Sequence, residues 1–336
     1  MPRGEGAVPD RNLAFDLVRT TEAAALAAAR WVGRADKNAA DQAAVDAMRL
    51  MFNTVPIDGV VVIGEGEKDE APMLYNGEHV GTADGPAIDI AVDPIDGTTL
   101  MSRGQPDALA VVAAAPRGTM FDPGPCVYME KIAAGPEGGA SLDITAPIED
   151  NVRNVARARG MEVRDITVTV LDRPRNQDAI DRIRTIGARI RLIEHGDIAA
   201  AITAATEGTG VDMLYGIGGT PEGVTTAAAL KCLGGSIQGR LWPRNDEERD
   251  AAIAAGYDLE RVLTTDDLVQ GGDVYFACTG VTDGVLCEGI RYSAQGASSE
   301  SIVMRARTGT IRRVHSQHRW GSLQKMQIDY SGGPRG

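Results

Sequence analysis

Residues 88–93 read Ile-Asp-Ile-Ala-Val-Asp, and Ile88, Ile90 and Val92 alternate with Asp89, Ala91 and Asp93. That is the period of a strand with one apolar face. Pro94, Ile95, Asp96, Gly97 and Thr98 follow directly. Proline cannot extend a central ladder and glycine permits a tight backbone, so the strand is expected to end at Asp93 and a loop to begin. Any fold for this chain must therefore stop a buried strand abruptly, with two carboxylates and a hydroxyl at its tip. Two acids three residues apart on such a loop can converge on a hard cation, and Thr98 is placed to position a water. This is the chemistry of metal-assisted phosphate ester hydrolysis.

The chain has 336 residues, enough for two domains or one large two-lobed unit. Only 4% are aromatic, so a core must come from Ala, Val, Ile and Leu. A net charge of -13 offers no continuous basic surface and argues against nucleic acid or an anionic membrane as partner. An anionic substrate is not excluded, because bound cations and a few local arginines reverse the sign inside one cleft. Cys126, Cys232, Cys278 and Cys287 form no CxxC pair and no zinc spacing. They read as reduced structural thiols of a cytoplasmic protein. No 18-residue apolar run and no signal peptide are evident, so a soluble chain is expected.

Residues 12–34 carry a helical period, a break follows at 33–38, and a second helix runs to about Phe52 with Asp41 in its first turn. Residues 60–63 form a short buried strand, followed by an acidic loop over 64–70. Strands are expected at 109–115 and, in a hairpin-like region, at 128–132. From about residue 150 strands (166–171, 190–193, 211–215) alternate with helices (178–186, 198–206, 221–233), which argues for a partly parallel sheet covered by helices. Strands near 274–279, 302–305 and 310–314 make the C-terminal part β-rich. The expected division is a disordered start (1–11), a metal-binding half (12–148), an α/β half supplying substrate contacts and Glu222 (149–330), and a disordered tail (331–336).

Asp41, Glu65 or Glu67, Asp93, Asp96 and Glu222 each sit at a helix start or just after a strand end. In open α/β sheets those positions gather at the carboxyl edge, where ligands bind. An oxygen-only set suits Mg²⁺ or Mn²⁺ rather than zinc. Most acids in a chain with 47 of them are solvated surface groups. Asp93 and Asp96 stand apart because a buried strand followed by Pro and Gly gives them no structural employment. Gly216, Gly218, Gly219 and Gly223 surround a helix start at which backbone N–H groups can bind a phosphate, with Glu222 facing the same opening. Arg173-Pro174-Arg175 offers two guanidiniums for phosphate recognition. Lys37 is within reach of a phosphate or of the acid cluster. His195-Gly196-Asp197 is a strand-to-helix turn in which Asp197 most simply serves as an N-cap. His315 and His318 lie on opposite faces of a strand and read as structural.

Asp93-Pro94-Ile95-Asp96-Gly97-Thr98 resembles the signature of the lithium-sensitive, metal-dependent sugar and inositol phosphatases. Asp36-Lys-Asn-Ala-Ala-Asp41, the stretch from Ile63 to Tyr75 and the stretch from Tyr215 to Gly223 narrow the resemblance to bacterial class II fructose-1,6-bisphosphatase, over about residues 12–320. The resemblance implies a layered α-β-α-β-α fold of the α/β class (α+β in part) with mixed sheets. It also implies a homo-oligomer, dimer or tetramer, and release of the 1-phosphate of fructose 1,6-bisphosphate in gluconeogenesis. By motif position Asp41 and Glu65 would hold one cation, and Asp93, Asp96 and Glu222 others, the metal being Mg²⁺ or Mn²⁺. Thr98 and Asp96 would be catalytic, with Thr98 orienting the attacking water. Substrate contacts would come from Asp96, Gly97, Thr98, Tyr128, Arg173, Pro174, Arg175, His195, Gly196, Asp197 and Gly219. Some relatives carry Glu at position 96, Gly at 35 and an acid at 195, where this chain has Asp96, Ala35 and His195.

Sedoheptulose 1,7-bisphosphate presents the same 1-phosphate end and is the nearest competing substrate. A haloacid-dehalogenase-type phosphatase needs Asp-x-Asp, whereas Pro94 and Ile95 intervene here. An NAD-dependent oxidoreductase would use residues 216–223, but Pro221 stands where a glycine is needed and no ribose-binding acid follows. A non-catalytic sugar-phosphate sensor would keep the arginines but has no use for Thr98 and five acids.

Overall fold

The structure, a computed structural model, describes residues 12–65 and 74–323. Glu67, the expected disordered start and the expected disordered tail lie outside the described residues. In chain order the first elements are α1 (Ala14–Ala28), α2 (Lys37–Phe52), β1 (Asp58–Ile63), β2 (His79–Val80), β3 (Ala87–Asp96), α3 (Thr98–Ser102), β4 (Leu109–Pro116) and β5 (Tyr128–Ala134). The middle of the chain forms α4 (Pro136–Gly139), α5 (Ile148–Arg159), β6 (Thr167–Leu171), α6 (Gln177–Thr185), β7 (Arg189–Ile193), α7 (Asp197–Ala205), β8 (Met213–Gly219), α8 (Thr220–Leu233) and β9 (Ser236–Leu241). The last are α9 (Asp246–Ala254), β10 (Leu263–Thr264), α10 (Thr265–Leu268), β11 (Tyr275–Gly280), β12 (Arg291–Tyr292), β13 (Gly296–Arg305), β14 (Thr310–Arg319) and α11 (Trp320–Leu323).

The strands make two mixed sheets. The first runs β12-β13-β11-β4-β3-β1-β2 with β14 paired to β13, and the second runs β10-β9-β5-β8-β6-β7. Period-2 alternation then sorts the side chains of β3 and β5 among three of the four apolar clusters of the described residues. On β3, Ile88, Ile90 and Val92 face a core with α1 and α2, while Ala91 faces one with α7 and α8. On β5, Met129 and Ala133 join that middle core, and Ile132 and Ala134 face a third core with α5 and α6. Each sheet is thus apolar on both faces, and the layers read α-β-α-β-α. No described helix is long and apolar enough to cross a membrane.

Three expectations need correction. The β3 strand does not stop at Asp93 but continues to Asp96, because Pro94 and Ile95 together lie opposite Ala110 between the pairs Asp93↔Val111 and Asp96↔Leu109. This is a bulge with one extra residue, and the proline sits where the ladder asks for no N–H. Residues 128–132 form no hairpin with the preceding strand; β5 crosses to the second sheet and pairs with β8 and β9. The glycines after Tyr215 are not a loop, since β8 carries them to Gly219, which lies opposite Tyr128.

Candidate active site

Parallel pairing decides which strand ends share an edge. The β1 and β3 strands are parallel, so Glu65 and the Asp93–Asp96 tip emerge together. In the second sheet β6, β7 and β8 are parallel, so Arg173–Arg175, His195–Asp197 and Gly219–Glu222 emerge together as well. The N-terminal ends of α7 and α8, in the middle layer, bring the two edges into one cleft.

Asp89 and Asp93 point to the same face of β3, but their employment differs. Both oxygen-directed N–H groups of Thr119 and Met120 go to Asp89 Oδ2, at 2.9 and 3.1 Å. Asp93 Oδ1 accepts only a local bond from Ile95 N at 3.1 Å among the described contacts. Asp96 reaches further: its Oδ2 accepts from the N–H of Ala199 at 3.2 Å. A carboxylate from β3 therefore satisfies an otherwise unpaired donor in the first turn of α7. The N-cap position of that helix is Gly196, at φ 81°, with no side-chain cap. The expectation that Asp197 caps the helix is thus overturned, because its carboxylate is drawn inward by an opposite charge. Lys131 Nζ lies 2.5 Å from Asp197 Oδ2 and donates to Gly219 O at 2.9 Å. Both side chains of this ion pair are buried.

Gly97 has φ 86°, a left-handed conformation that turns the chain from β3 straight into α3. Thr98 is thereby brought against α2, where its Oγ1 lies 3.1 Å from Asp41 Oδ1 and 3.0 Å from Ile95 O. One hydroxyl proton serves either acceptor, and the lone pairs of the oxygen stay available to a donor such as water. Asp36 caps α2 by accepting from Ala39 N at 3.0 Å, which fixes the turn that carries Asp41. Lys37 Nζ donates to Thr99 Oγ1 at 2.7 Å.

The acids sense one another. Burial raises Asp41 to about 6, with Thr98 and Lys37 pulling the other way. Burial, then the charges of Asp41 and Glu222, push Glu65 to about 7. Asp93 is raised by burial and then by Asp96, Glu65 and Glu222, and Asp96 by burial and then Asp197. Glu222 is raised by burial and Asp197, against Lys131. Five carboxylates predicted as ligands thus occupy one poorly solvated region with too little compensating positive charge. Such an oxygen-donor set suits a hard divalent cation, although no three carboxylate, imidazole or thiol groups converge at coordinating distance among the described residues.

On the opposite wall the Arg175 guanidinium stacks 4.4 Å over the Tyr128 ring, and its Nε donates to Ile217 O at 3.0 Å. Arg173 diverges from it and donates to the carbonyls of Asp172 and Glu194. Pro174 opens the short 3₁₀ turn between them. His195 is half-buried, and burial with the charges of Arg173 and Lys37 lowers its proton affinity, so it is neutral at pH 7. Gly218 and Gly219 are required by close approach. A Cβ at Gly218 would lie 2.4 Å from Asp197 Oδ2.

Lys131 was not anticipated, although a signal existed: a lysine between Met129 and Ala133 on the apolar face of a strand. Asn176 was missed too. It clamps β8 by accepting from Ile217 N at 2.8 Å while donating to Leu171 O at 3.0 Å.

A family model described as "Bacterial fructose-1,6-bisphosphatase, glpX-encoded" matches residues 11–318. The chain belongs to this family. It is 45% identical over 321 residues, covering 92% of this chain and 95% of the relative, to "Fructose-1,6-bisphosphatase 1 class 2" of Escherichia coli (strain K12). The same identity and coverage hold for "Fructose-1,6-bisphosphatase class 2" of Shigella flexneri. Family membership covers both edges of the cleft, from Asp41 to Glu222, and the β11–β14 strands that complete the first sheet.

Proposed function

We propose that this class II fructose-1,6-bisphosphatase releases the 1-phosphate of fructose 1,6-bisphosphate, giving fructose 6-phosphate and phosphate by direct attack of water, as a step of gluconeogenesis in the cytoplasm. The observation that carries this reading is the shared cleft: Asp41, Glu65, Asp93, Asp96 and Glu222 with Thr98 on one wall, and the Arg175–Tyr128 pair on the other. Mg²⁺ or Mn²⁺ held by the five carboxylates would supply Lewis-acid polarisation of the phosphoryl oxygens.

The chain's own groups do the positioning. Thr98 orients the water, because its hydroxyl proton is occupied by Asp41 or the Ile95 carbonyl and its oxygen accepts. Arg175, splinted by Tyr128 and Ile217, presents a fixed fork to the far phosphate. Asp197, held by Lys131 beside Gly218, accepts from sugar hydroxyls, and His195 contacts the same end as a neutral ring. The four free, buried cysteines fit a reducing compartment, and a dimer or tetramer is proposed with it. The deciding experiment measures phosphate release from fructose 1,6-bisphosphate, sedoheptulose 1,7-bisphosphate and inositol 1-phosphate with Mg²⁺, Mn²⁺, chelator or lithium. Release that is metal-independent, or an Asp93→Ala variant as active as the parent, would falsify the reading.

A further inference from the structure

Two sheets build the cleft, so its width depends on what ties them together. Glu65, Asp93 and Asp96 are carried by strands of the first sheet, and Tyr128, Arg175 and His195 by strands of the second. A bisphosphate that touches both walls must match the distance between them. Among the described residues two ion pairs cross that gap, and both land on β7 or the residue just after it. Arg103 meets Glu194 at 3.2 Å, but both side chains are more than half exposed. Such a pair contributes little. The other pair, Asp107 with Arg191, is less exposed and is held from several sides.

Asp107 stands in the turn between α3 and β4, just before Leu109, which lies opposite Asp96. Its φ is 72°, a left-handed conformation that a non-glycine residue holds where its surroundings over-determine it. They do so here. Its N–H donates to Asp283 O at 2.9 Å, and its Oδ1 accepts from Val285 N at 2.9 Å. Both partners lie in the loop after β11, whose last residue, Gly280, also pairs with Leu109. With Oδ1 occupied in this way, Oδ2 accepts from Arg191 Nη2 of the second sheet at 3.1 Å. Arg191 lies on β7, shortly before His195. Gly196 packs between the Asp107 carbonyl and Asp96, and a Cβ on it would lie 3.7 Å from the carbonyl oxygen and from Asp96 Oδ2. One residue at the rim of the first sheet thus fixes both β7 and the turn that carries His195.

Taking the sugar-bisphosphate reaction proposed above as premise, we propose that Asp107 is a positioning residue that sets the span of the cleft through Arg191. The span it sets favours the hexose bisphosphate over the longer heptose bisphosphate. Without the tie, β7 and the turn after it are free to move away from Asp96. The cleft then accepts a longer sugar and loses fit to the shorter one. Binding suffers before turnover, because the carboxylates and Thr98 keep their places on the opposite wall.

Asp107→Asn is the discriminating variant. Asparagine tolerates the left-handed turn and keeps one oxygen for Val285, but it leaves Arg191 facing an uncharged amide. KM for fructose 1,6-bisphosphate should rise about tenfold, with kcat within about threefold of the parent. Preference for it over sedoheptulose 1,7-bisphosphate, measured as a ratio of kcat/KM, should fall about fivefold. Arg191→Met should do the same, and the double variant should be no worse than the poorer single one. Inhibition by fructose 6-phosphate, which has no 1-phosphate and so does not span the cleft, should change by less than about twofold. Thermal melts establish that the variants fold, and Arg191→Met decides the matter if Asp107→Asn does not. A ratio at or above the parent value in the folded variants overturns the proposal, since a merely structural tie lowers both sugars alike. A parent that prefers the heptose overturns it too, and additive losses in the double variant overturn the route through Arg191. A parent that releases phosphate from neither sugar is a different failure: it overturns the activity itself, and the specificity with it.

Discussion

A Cβ added at Gly219 would lie 1.7 Å from Oε2 of Glu222. The last residue of β8 is thus reserved for the carboxylate three positions later, which folds back over it from the first turn of α8. Gly219→Ala should displace Glu222 and lower kcat/KM about 100-fold or more, while overpacking costs stability about 1–3 kcal/mol. Steady-state kinetics and a thermal melt separate the two effects. Because the two residues share one space, Gly219→Ala combined with Glu222→Ala should be little worse than Glu222→Ala alone.

Thr98 contributes one hydroxyl between Asp41 and the Ile95 carbonyl. Thr98→Val keeps the shape and removes the oxygen proposed to orient the water, so kcat should fall by about 10²–10³ with KM nearly unchanged. Thr98→Ser should retain activity within about tenfold. Parent activity in Thr98→Val with a loss in Thr98→Ser would show that packing of the methyl group matters rather than the oxygen.

Metal-free protein should lose stability as pH rises. Asp41 at about 6 and Glu65 at about 7 stand above their ordinary values of 3.8 and 4.5. A carboxyl with a raised folded pKa binds protons more tightly when folded, so its contribution is complete below the ordinary value and is lost as pH passes the raised one. The window runs from about pH 4 to pH 7. Calorimetry in chelator should show a falling melting temperature across it, and added Mg²⁺ or Mn²⁺ should restore stability most at the alkaline end.

Lys131 balances Asp197 inside the protein and moderates Asp96 and Glu222. Lys131→Met leaves Asp197 charged and unpaired, which costs about 3–5 kcal/mol. Adding Asp197→Asn should recover part of the stability and none of the activity. Chemical denaturation of the two variants, with phosphate release measured alongside, tests both halves.

Ala35 has φ 60°, a left-handed conformation unfavourable for an L-residue by about 1–2 kcal/mol. The turn is held there because the N–H groups of Gly33 and Ala35 donate to Met101 and Ser102 carbonyls, both at 3.0 Å. Ala35→Gly relieves the strain and loses part of the gain to unfolded-state entropy, leaving a net stabilisation of about 0.5–1 kcal/mol. The melting temperature should rise by about 1–2 °C with kinetics unchanged.

Period and punctuation in the sequence placed Asp93, Asp96, Glu65 and Glu222 at element ends, and the motifs around them gave the family. These are local properties, legible because a buried strand writes its alternation into consecutive residues. The course of β3 through Pro94 and of β8 through Gly216–Gly219 was not legible, because a bulge and a close carboxylate depend on the partner strand rather than on the residues themselves. The roles of Lys131, Asp197 and Asp96 were decided later still. Lys131 meets Asp197 across 66 positions, and Asp96 meets the N–H of Ala199 across 103. Those pairings exist only because two sheets pack against one helical layer, which sets charges from distant segments within one low-dielectric space.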